Sequence, residues 1–467
     1  MEKKIFRFPR GRELTIEDLA KFIRKNDDLV ARKYRPLRDA YEGKYKIFFQ
    51  PKKPAWKPDN RLAVNFARYI TDTFSGYIQG VPQQVISDDS GTAERVTDYN
   101  DAAGFVDQLA VAVDSMLIYG RSYIMAYENE NGDIEVAATD PEESFVIYDD
   151  GIRQRPLYFV RTYYDIDRHR HGSISDGEGN IRYFDWAGAI EWTAEERHGF
   201  DGVPAVELST GIIRKGIFAD VLNLIDAFNQ LLSDKANDIS MFADAYLKIL
   251  GADIDDKSLK WIRNNRVINL KGRNASDLVV EFLERPNADG SQENLLNRLY
   301  ELIFVTAMVV NISDADFTAA SGQAMKYRLQ PMTNMAGKIN RRLTKSLKNL
   351  YKLICSNPAG DLDPDDWQKI EIKYTLNLPA NLLDEAQTAG AMSGITSKRT
   401  QLQVLSIVPD VDKEMEQIEK ENDATAYITE YETDRGGDEE ESGDGRQLLD
   451  EKTGTASPGA GEGRRNN

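Results

Sequence analysis

The side chains that most often catalyse reactions or bind metals are scarce in this chain of 467 residues. It has three histidines, of which His169 and His171 flank Arg170, while His198 stands apart from them. Two imidazoles this close could share a metal ion, but we interpret the segment DRHRHG as a polar loop. The single cysteine, Cys355, lies in the helical run LYKLICSNP, where we expect a buried small hydrophobic residue. One cysteine excludes an intramolecular disulfide and a cysteine-based zinc site, and it fits a reducing compartment.

A second candidate for metal chemistry is the aspartate-rich segment DLDPDDW. Asp361, Asp363 and Asp365 alternate with other residues, as the first ligands of a calcium-binding loop do. That loop needs a glycine at its turn, where this chain has Asp366, and a bidentate glutamate at its end, where it has Ile372. We therefore reject a calcium site.

The sequence contains none of the short motifs that mark common catalytic sites. There is no G-x-x-x-x-G-K-[ST] loop to cradle phosphates, no G-x-G-x-x-G and no G-x-S-x-G. Pairs of carboxylates are uninformative alone, since the chain has 77 acidic residues. We predict that the protein is not an enzyme, with no catalytic residues, no metal and no cofactor.

The charge balance limits the partners. A net charge of −18 argues against a protein that grips nucleic acid over a broad surface, because such binding rests on cations that neutralise phosphates. An acidic wall past which nucleic acid slides remains compatible with this charge. No run approaches the ~18 apolar residues of a membrane span, and the start MEKKIFRFPRGRE lacks the apolar core of a signal peptide. We expect a soluble protein, made inside the cell, without a membrane partner.

The first half of the chain predicts an α+β module. Thr15 precedes Asp18 by three residues, a typical helix start. Apolar residues at helical spacing predict a helix that Gly80 and Pro82 end, and a further helix covers 104–119. From Gly120 the apolar period changes to that of strands. Two runs surround Asn131-Gly132, a hairpin signal, and further runs continue to about residue 208, so we expect an antiparallel sheet.

The second half predicts long helices. The first, 217–250, carries an apolar stripe that only Lys235 interrupts, and it would be roughly 50 Å long. Such a seam requires partner helices from the same chain or from neighbouring copies, unless it is an ordinary long core helix. Next come an insert at 251–291 with a short helix and two strands, RVINL and LVVEFLE, and a second helix over 292–310.

A third helix, 323–354, contains Pro331 and Gly337, so we expect a kink. It carries basic residues and no acidic ones: Lys326, Arg328, Lys338, Arg341, Arg342, Lys345, Lys348 and Lys352. We interpret them as a solvated basic face, and from Lys338 onwards we expect pairing with acidic residues of the predicted α+β module. A strand, helices from 381 to about 427 and a disordered acidic tail complete the chain.

Four stretches in this order resemble the portal proteins of tailed bacteriophages, in the branch typical of phages with Gram-positive hosts. They are NRLAVNFARYITDTFSGYIQGVP, LIDAFNQLLSDKANDISMFADAYLKILG, ISDADFTAASGQAMKYRLQPM and GITSKRTQLQVLSIVPDVDKEMEQIEKE. Together they cover about residues 60–425. The resemblance implies a ring, commonly of about twelve copies, at one capsid vertex. Double-stranded DNA passes through this ring, driven by a separate terminase that supplies the ATPase.

The same resemblance implies a division of the chain into named parts. These are a charged N-terminal region (1–60), a mixed wing domain (61–216), a stem helix (217–250), a small α/β clip (251–291), a second stem helix (292–310), a tunnel loop (311–322), a tunnel helix (323–337), a wing helix and strand (338–380), a helical crown (381–428) and the acidic tail (429–467).

Site residues follow from these parts. The tunnel loop would meet DNA through Ser313, Asp314, Asp316, Phe317, Thr318 and Ser321, with small hydroxyls for brief contacts and carboxylates that repel phosphates. The tunnel helix would add Lys326 and Arg328, with Pro331 as its bend. The clip would face terminase through Lys257, Lys260 and Arg263.

The other implied partners are capsid and scaffolding proteins and a head-completion adaptor, with the protein in the virion and, during assembly, in the host cytoplasm. Two alternatives remain open at this point: a non-portal helical scaffold or adaptor, and an enzyme built on a carboxylate pair.

Overall fold

The computed structural model describes residues 6–54, 57–242, 247–250, 279–282, 289–313, 322–377, 382–405, 407–408 and 411–422. The chain divides into two compact units, Met1–Pro379 and Ala380–Asn467. The first unit mixes helices with mainly antiparallel sheets, which confirms the predicted α+β class. The predicted acidic tail, 429–467, lies outside the described residues.

The N-terminal region is more structured than the sequence suggested. Strand β1 (Phe6–Phe8) precedes helix α1 (Ile16–Leu29), which continues through a π-helical turn into α2 (Arg35–Tyr41). The predicted helix start is confirmed, since the Thr15 hydroxyl accepts the Asp18 N–H at 3.2 Å and donates to the Asp18 carboxylate at 2.9 Å.

Three helices follow: α3 (Phe66–Gln79), α4 (Ser90–Ala102) and α5 (Phe105–Tyr119). The first and third were predicted. Helix α4 was not, because its interior side buries only Thr92 and Val96 and therefore lacks an apolar stripe. None of the described helices alone is long and apolar enough to cross a membrane, and only α4 and α5 together, with a 69° bend between them, have that length and composition.

Two sheets fill the middle of the first unit. One is three-stranded in the order β10-β3-β4, and its β3–β4 hairpin turns at the predicted Asn131-Gly132, where Gly132 has φ +89°. The other is six-stranded in the order β1-β5-β6-β7-β8-β9. The strands are β3 (Arg121–Glu128), β4 (Ile134–Thr139), β5 (Ser144–Asp149), β6 (Pro156–Tyr164), β7 (Arg170–Asp176), β8 (Asn180–Trp186), β9 (Ile190–Arg197) and β10 (Ala205–Ser209).

The strands between residue 120 and about residue 208 pair antiparallel, as predicted, and the unpredicted strand β1 joins one edge parallel to β5. A short strand can join there because its aromatic side chains enter the core. Phe6 and Phe8 are buried, and the Phe6 ring lies 4.9 Å from that of Phe145.

The first long helix, α6 (Leu222–Phe242), is shorter than predicted. The prediction of helix up to residue 250 was wrong, because Leu247–Leu250 forms strand β11, antiparallel to β12 (Val279–Phe282). The alternation of Leu247, Lys248 and Ile249 satisfies a strand period as well as a helical one, and pairing with β12 decides between them. The predicted strand LVVEFLE is thus confirmed, whereas the strand RVINL and the short helix of the insert lie outside the described residues.

The remaining elements are α7 (Asp289–Ala307), α8 (Gly322–Ser356), α9 (Asp366–Lys369) and β13 (Ile370–Lys373). Strand β13 pairs antiparallel with β2 (Gln84–Ser87). Helices α7 and α8 confirm the predicted second and third long helices, and α8 is one helix that contains Pro331. The second unit has the predicted helices, at α10 (Leu382–Ala391), α11 (Lys398–Leu402) and α12 (411–422).

The largest core joins helices α2, α3, α5 and α8 with strands β3 and β4 and the adjoining ends of α6 and α7. Leu343, Leu347 and Leu350 of α8 are almost completely buried there, as its apolar stripe predicted. Cys355 is buried beside them, and burial raises the pKa of its thiol to about 11. A second core packs α1 against β1 and one face of the six-stranded sheet.

A buried charge cluster around Glu207 joins the two sheets. The Glu207 carboxylate accepts hydrogen bonds from the Arg214 guanidinium, one of them at 3.1 Å, and from the Tyr148 hydroxyl of β5. The Arg121 Nε lies 3.9 Å from it, and the Arg121 and Glu207 side chains are only 3% and 8% exposed. The Ser346 hydroxyl of α8 donates to the Glu207 carbonyl at 2.7 Å. One residue thereby connects β3, β5, α8 and the segment that leads into α6.

Burial alone would raise the pKa of Glu207. The Arg214 hydrogen bonds and the Arg121 charge outweigh burial, so the pKa of this carboxyl lies below its usual value. A lowered pKa in the folded state means that the carboxylate stabilises the fold above about pH 4, and that this contribution is lost as pH falls through the lowered value.

We predict that Glu207→Gln lowers the free energy of unfolding by about 3 kcal/mol at pH 7, because it leaves buried guanidinium groups without a counter-charge. Urea unfolding measures this loss. Glu195→Gln on the exposed strand β9 is the matched control, with a change within about 0.5 kcal/mol. The difference between wild type and Glu207→Gln should shrink below about pH 4. Equal losses in both variants, or a difference independent of pH, would contradict the role of the cluster.

Candidate functional site

The end of α7 is held close to the start of α8. After Ala307 the backbone turns at Met308, whose φ of +56° is left-handed and unusual for a residue with a side chain. Val309 is then buried, and the Val310 N–H donates to the Met332 sulfur of α8 at 3.3 Å. The backbone that follows α7 is therefore in direct contact with α8.

Asn311 fixes the chain where it leaves α7. Its side-chain oxygen accepts the Tyr69 hydroxyl and the Ser313 N–H, each at 3.1 Å, and its amide nitrogen donates to the Tyr300 hydroxyl at 2.5 Å. The Ile312 N–H donates to the Tyr69 hydroxyl at 3.1 Å. This network, the Asn311 clamp, ties the segment to α3 and α7 and leaves Ser313 exposed at its end.

The start of α8 is exposed and basic. Lys326 and Arg328 are exposed, and neither lies within 4.0 Å of a carboxylate in the described part of the chain. Tyr327 between them is 77% exposed, whereas Leu329 is buried. This end of the helix therefore offers cations and an aromatic ring to whatever lies beside it.

Pro331 weakens α8 just after that exposed end. A proline has no N–H, so the Tyr327 carbonyl, four residues earlier, lacks its helical donor. Two contacts of Thr333 hold the helix just beyond the proline. Its hydroxyl donates to the Leu329 carbonyl of the same helix at 3.1 Å and lies 2.7 Å from the Tyr77 hydroxyl of α3. Pro331 therefore interrupts the backbone hydrogen bonds of α8 within one continuous helix.

The predicted site residues divide into two groups. Ser313, Lys326, Arg328 and Pro331 are described, and the Val310–Met332 contact brings their two segments together. The others lie outside the described residues: Asp314, Asp316, Phe317, Thr318 and Ser321 of the predicted tunnel loop, and Lys257, Lys260 and Arg263 of the predicted clip.

The sequence analysis missed a buried polar row on α6. Asn229, Ser233 and Asn237 are at most 5% exposed, and they hydrogen-bond the backbone of the extended segment 60–64. The N–H groups of residues 60, 62 and 64 donate to Asn237, Ser233 and Asn229, respectively, at 2.6, 2.9 and 2.8 Å. Ser233 also donates to the Leu62 carbonyl at 3.0 Å. The signal available was the spacing of the three polar residues by four, which places them on one helix face.

One cleft lined by acidic residues could be compared with an enzyme site. It lies between α2, the start of β5, the end of β6 and the start of β7, and its volume is about 460 Å³. Burial raises the pKa of Glu142 and Glu143 there. Glu142 accepts Arg38 at 2.7 Å and the Tyr119 hydroxyl at 3.1 Å, and Arg170 binds the carboxylate of Asp27 through two nitrogens at 2.8 Å. These ion pairs connect α1 and α2 to the six-stranded sheet, which is a structural role.

The histidine pair was predicted to lie in a polar loop, and this was correct for His169 and wrong for His171, which belongs to β7. The His171 ring bridges Asp165 at 3.1 Å and Asp185 at 2.6 Å, and hydrogen bonds to these carboxylates raise its pKa. Asp165, Asp167 and His169 place ligand atoms within 4.8 Å of one another on this exposed turn.

Comparisons with known proteins identify the family. The family described as "Phage portal protein, SPP1 Gp6-like" matches residues 20–426, which is most of the chain. The chain belongs to this portal family. Portal proteins are homo-oligomeric structural connectors of the phage virion.

Individual relatives agree with this assignment. The portal protein of Clostridium phage phiCD119 is 22% identical over 397 residues, which are 77% of this chain and 84% of that protein. The portal protein of Bacillus phage SPP1 is 23% identical over 417 residues, 82% of this chain and 80% of that protein. Both phages infect Gram-positive hosts, so the predicted branch is confirmed. Among solved structures, the neck of an empty GTA particle matches 72% of this chain and 89% of its own, with 13% identity and a TM-score of 0.41.

We predict that Asn311→Ala loosens the portal chain at the exit of α7 without unfolding it. Loss of three hydrogen bonds at a half-buried position should cost about 1–2 kcal/mol in urea unfolding. Hydrogen exchange should accelerate at residues 312 and 313, whose N–H groups the clamp engages. Asn349→Ala, on the exposed side of α8, is the control. Unchanged exchange at these two amides would show that the clamp does not hold the segment.

Proposed function

We propose that copies of this chain form a ring, of about twelve subunits, at one vertex of the capsid. Double-stranded DNA enters through the ring during packaging and leaves through it during ejection. A separate terminase supplies the ATPase, and the ring is the platform for terminase and then for head-completion proteins. The ring assembles in the host cytoplasm with capsid and scaffolding proteins, has no catalytic activity of its own and remains in the virion.

The observation that supports the ring most directly is the exposed apolar surface of α6 and α7. Ile239 of α6 is 62% exposed, and Leu295 and Val305 of α7 are 50% and 67% exposed. The beginning of the predicted seam behaves differently, since Phe218, Val221 and Ile225 are fully buried in their own chain. Large apolar side chains exposed on two neighbouring helices are expected to be buried against another subunit.

A groove between α6 and α7 extends this surface. It has a volume of about 450 Å³, and Leu232, Ile239 and Leu296 line it beside the Lys235–Glu293 ion pair. A groove lined by apolar side chains and bordered by charges fits a helix of a neighbouring copy. In this proposal α6 and α7 are the stem helices, and the neighbours' stem helices complete the seam.

The DNA path in this proposal runs along the segment that joins α7 to α8. Ser313, Lys326 and Arg328 are exposed at its two ends. The residues between them, 314–321, would project into the channel, where Asp314 and Asp316 repel phosphates while Phe317, Thr318 and Ser321 make brief contacts. The acidic surplus of the chain supports passage without retention, because a channel that bound DNA tightly would stop it.

The clip assignment follows the same family logic. The predicted clip is residues 251–291, of which 251–288 lie between α6 and α7 in sequence, and in this proposal it forms the end of the ring that faces terminase. Lys257, Lys260 and Arg263 are the basic residues proposed to contact it. The alternative of a non-portal helical scaffold shares the exposed seams, and a closed ring with a central hole distinguishes the portal from it.

The first test is the mass of the purified full-length chain by native mass spectrometry, with negative-stain images. A ring of about a dozen copies with a central hole is expected. A chain that stays monomeric or dimeric, even when coexpressed with its capsid and scaffolding proteins, would overturn the proposal.

The second test uses the exposed seam. Ile239→Asp and Val305→Asp should each reduce the ring fraction about tenfold or more, while the monomer keeps its thermal midpoint within a few degrees because both side chains are already exposed. Ile166→Asp is the control, since Ile166 is 98% exposed on the turn between β6 and β7. If all three variants assembled equally, the seam would not be an interface.

The third test concerns Pro331. Pro331→Ala restores a backbone donor in α8 and should stabilise the first turns of the helix by about 1–3 kcal/mol, visible as slower hydrogen exchange at residues 324–332. If the tunnel helix must bend during packaging, this variant should form rings and package DNA more slowly. Normal packaging with slowed exchange would show that bending at Pro331 is not needed.

A further inference from the structure

Helix α8 carries a basic face that has no acidic partner among the residues that the structure describes. The face consists of Lys338, Arg341, Arg342, Lys345, Lys348 and Lys352. At about 100° per residue these side chains fall within roughly a third of the helix circumference and extend over about 21 Å. The buried residues Ile339, Leu343 and Leu347 lie on the opposite side. The cations are exposed or half-buried.

The expectation that residues from Lys338 onwards pair with acids of the same chain was wrong for the part of the chain that the structure describes. There, none of the six cations has a carboxylate oxygen within 4.0 Å. Lys352 instead lies over the Trp367 ring at 5.5 Å. Six like charges along one helix face repel one another, and a complementary surface would relieve that repulsion.

A complementary surface exists on α4 and the start of α5. Glu94, Asp98 and Asp101 follow one another by four and three residues, which places them on one side of α4, and Asp107 follows on α5. All four are exposed, and within the described residues none has a Lys or Arg nitrogen within 4.0 Å. Arg95, on another side of α4, is engaged by the buried Asp366 at 2.8 Å. We call these four residues the acidic face.

The two faces lie on neighbouring helices and point away from the contact between them. The Tyr351 hydroxyl of α8 donates to the Asn100 side chain of α4 at 2.6 Å, and the Tyr351 ring packs 5.3 Å from that of Phe105. The centre of each charged face lies about 120° around its helix from this contact. Copies in a cyclic ring are related by rotation alone, so surfaces that meet must lie at the same height along the axis. The Tyr351 contact keeps the two faces close to each other, which permits such an arrangement.

We propose that the basic face of α8 in one copy binds the acidic face of α4 and α5 in the next copy. The contact is heterologous, with two different surfaces of the same chain, as a closed ring requires. It fixes the order of neighbours by charge, while the apolar stem seam supplies most of the buried area. This inference rests on the proposed ring, and it adds which surfaces outside the stem join its subunits.

The experiment uses two charge-reversal variants of the full-length chain. The first changes the basic face by Lys338→Glu, Arg341→Glu, Lys345→Glu and Lys352→Glu, which leaves four acids beside Arg342 and Lys348, so that both faces are acidic. Native mass spectrometry at about 0.15 M salt should show its ring fraction reduced about tenfold or more. Circular dichroism should show an unchanged fold, because the four side chains are exposed.

The second variant changes the acidic face by Glu94→Lys, Asp98→Lys and Asp101→Lys, so that both faces are basic. It should also fail to form rings alone. Mixing the two variants should restore rings, because every interface is complementary when the copies alternate. Those rings should contain equal numbers of the two variants and an even total.

The control variant reverses three exposed cations elsewhere, by Arg10→Glu, Arg32→Glu and Arg153→Glu, and it should assemble like the wild type. If the wild type forms rings and both face variants form them equally well, this inference is overturned and the portal function stands. Normal rings of the first variant with loss of retention on duplex DNA would assign the basic face to nucleic acid and would also overturn it. A wild-type chain that forms no ring even with its capsid and scaffolding proteins would overturn both proposals.

Discussion

The buried carboxylate of Glu207 is the interaction on which the first unit depends. Folding removes this carboxylate and the Arg121 guanidinium almost completely from water, and such a transfer is tolerated only when the charges meet each other and nearby donors. The groups that meet Glu207 come from β3, β5 and the segment before α6, and its carbonyl receives Ser346 of α8. The sheets and the longest helix therefore cannot shift independently without separating buried charges.

The Glu207 cluster also explains how the chain turns from the three-stranded sheet towards α6. Gly120 has φ +88°, and a Cβ placed on it would lie 2.3 Å from the Arg214 carbonyl carbon, so only glycine allows the two segments to approach. The Lys33 ammonium donates to the Arg214 carbonyl at 2.5 Å and adds the N-terminal helices to this contact. Arg214 also binds the Glu207 carboxylate, so this buried ion pair holds the segment that leads into α6.

Local patterns in the sequence predicted the long helices and the hairpin well. The apolar stripe of α8 needed only its own spacing, and the β3–β4 turn needed only Asn131 and Gly132. Elements decided by distant partners were missed or misjudged: β1 exists because β5 is beside it, and Leu247–Leu250 is a strand because Val279–Phe282 pairs with it. The polar row on α6 was missed, and the partners of the cations from Lys338 onwards were misjudged, for the same reason. Their partners are set by tertiary structure or, in our proposal, by another subunit.

The polar row on α6 has a consequence for the order of events on the ribosome. The backbone groups of residues 60–64 are satisfied by side chains 165 to 177 positions later in the chain. At a translation rate of about 5–20 residues per second, that segment waits roughly 10–30 s for its partners to be made. During this time its N–H groups are available to any exposed strand edge of a neighbouring nascent chain. The prolines at positions 51, 54 and 58, which cannot donate to a strand, stand immediately before it and limit such pairing.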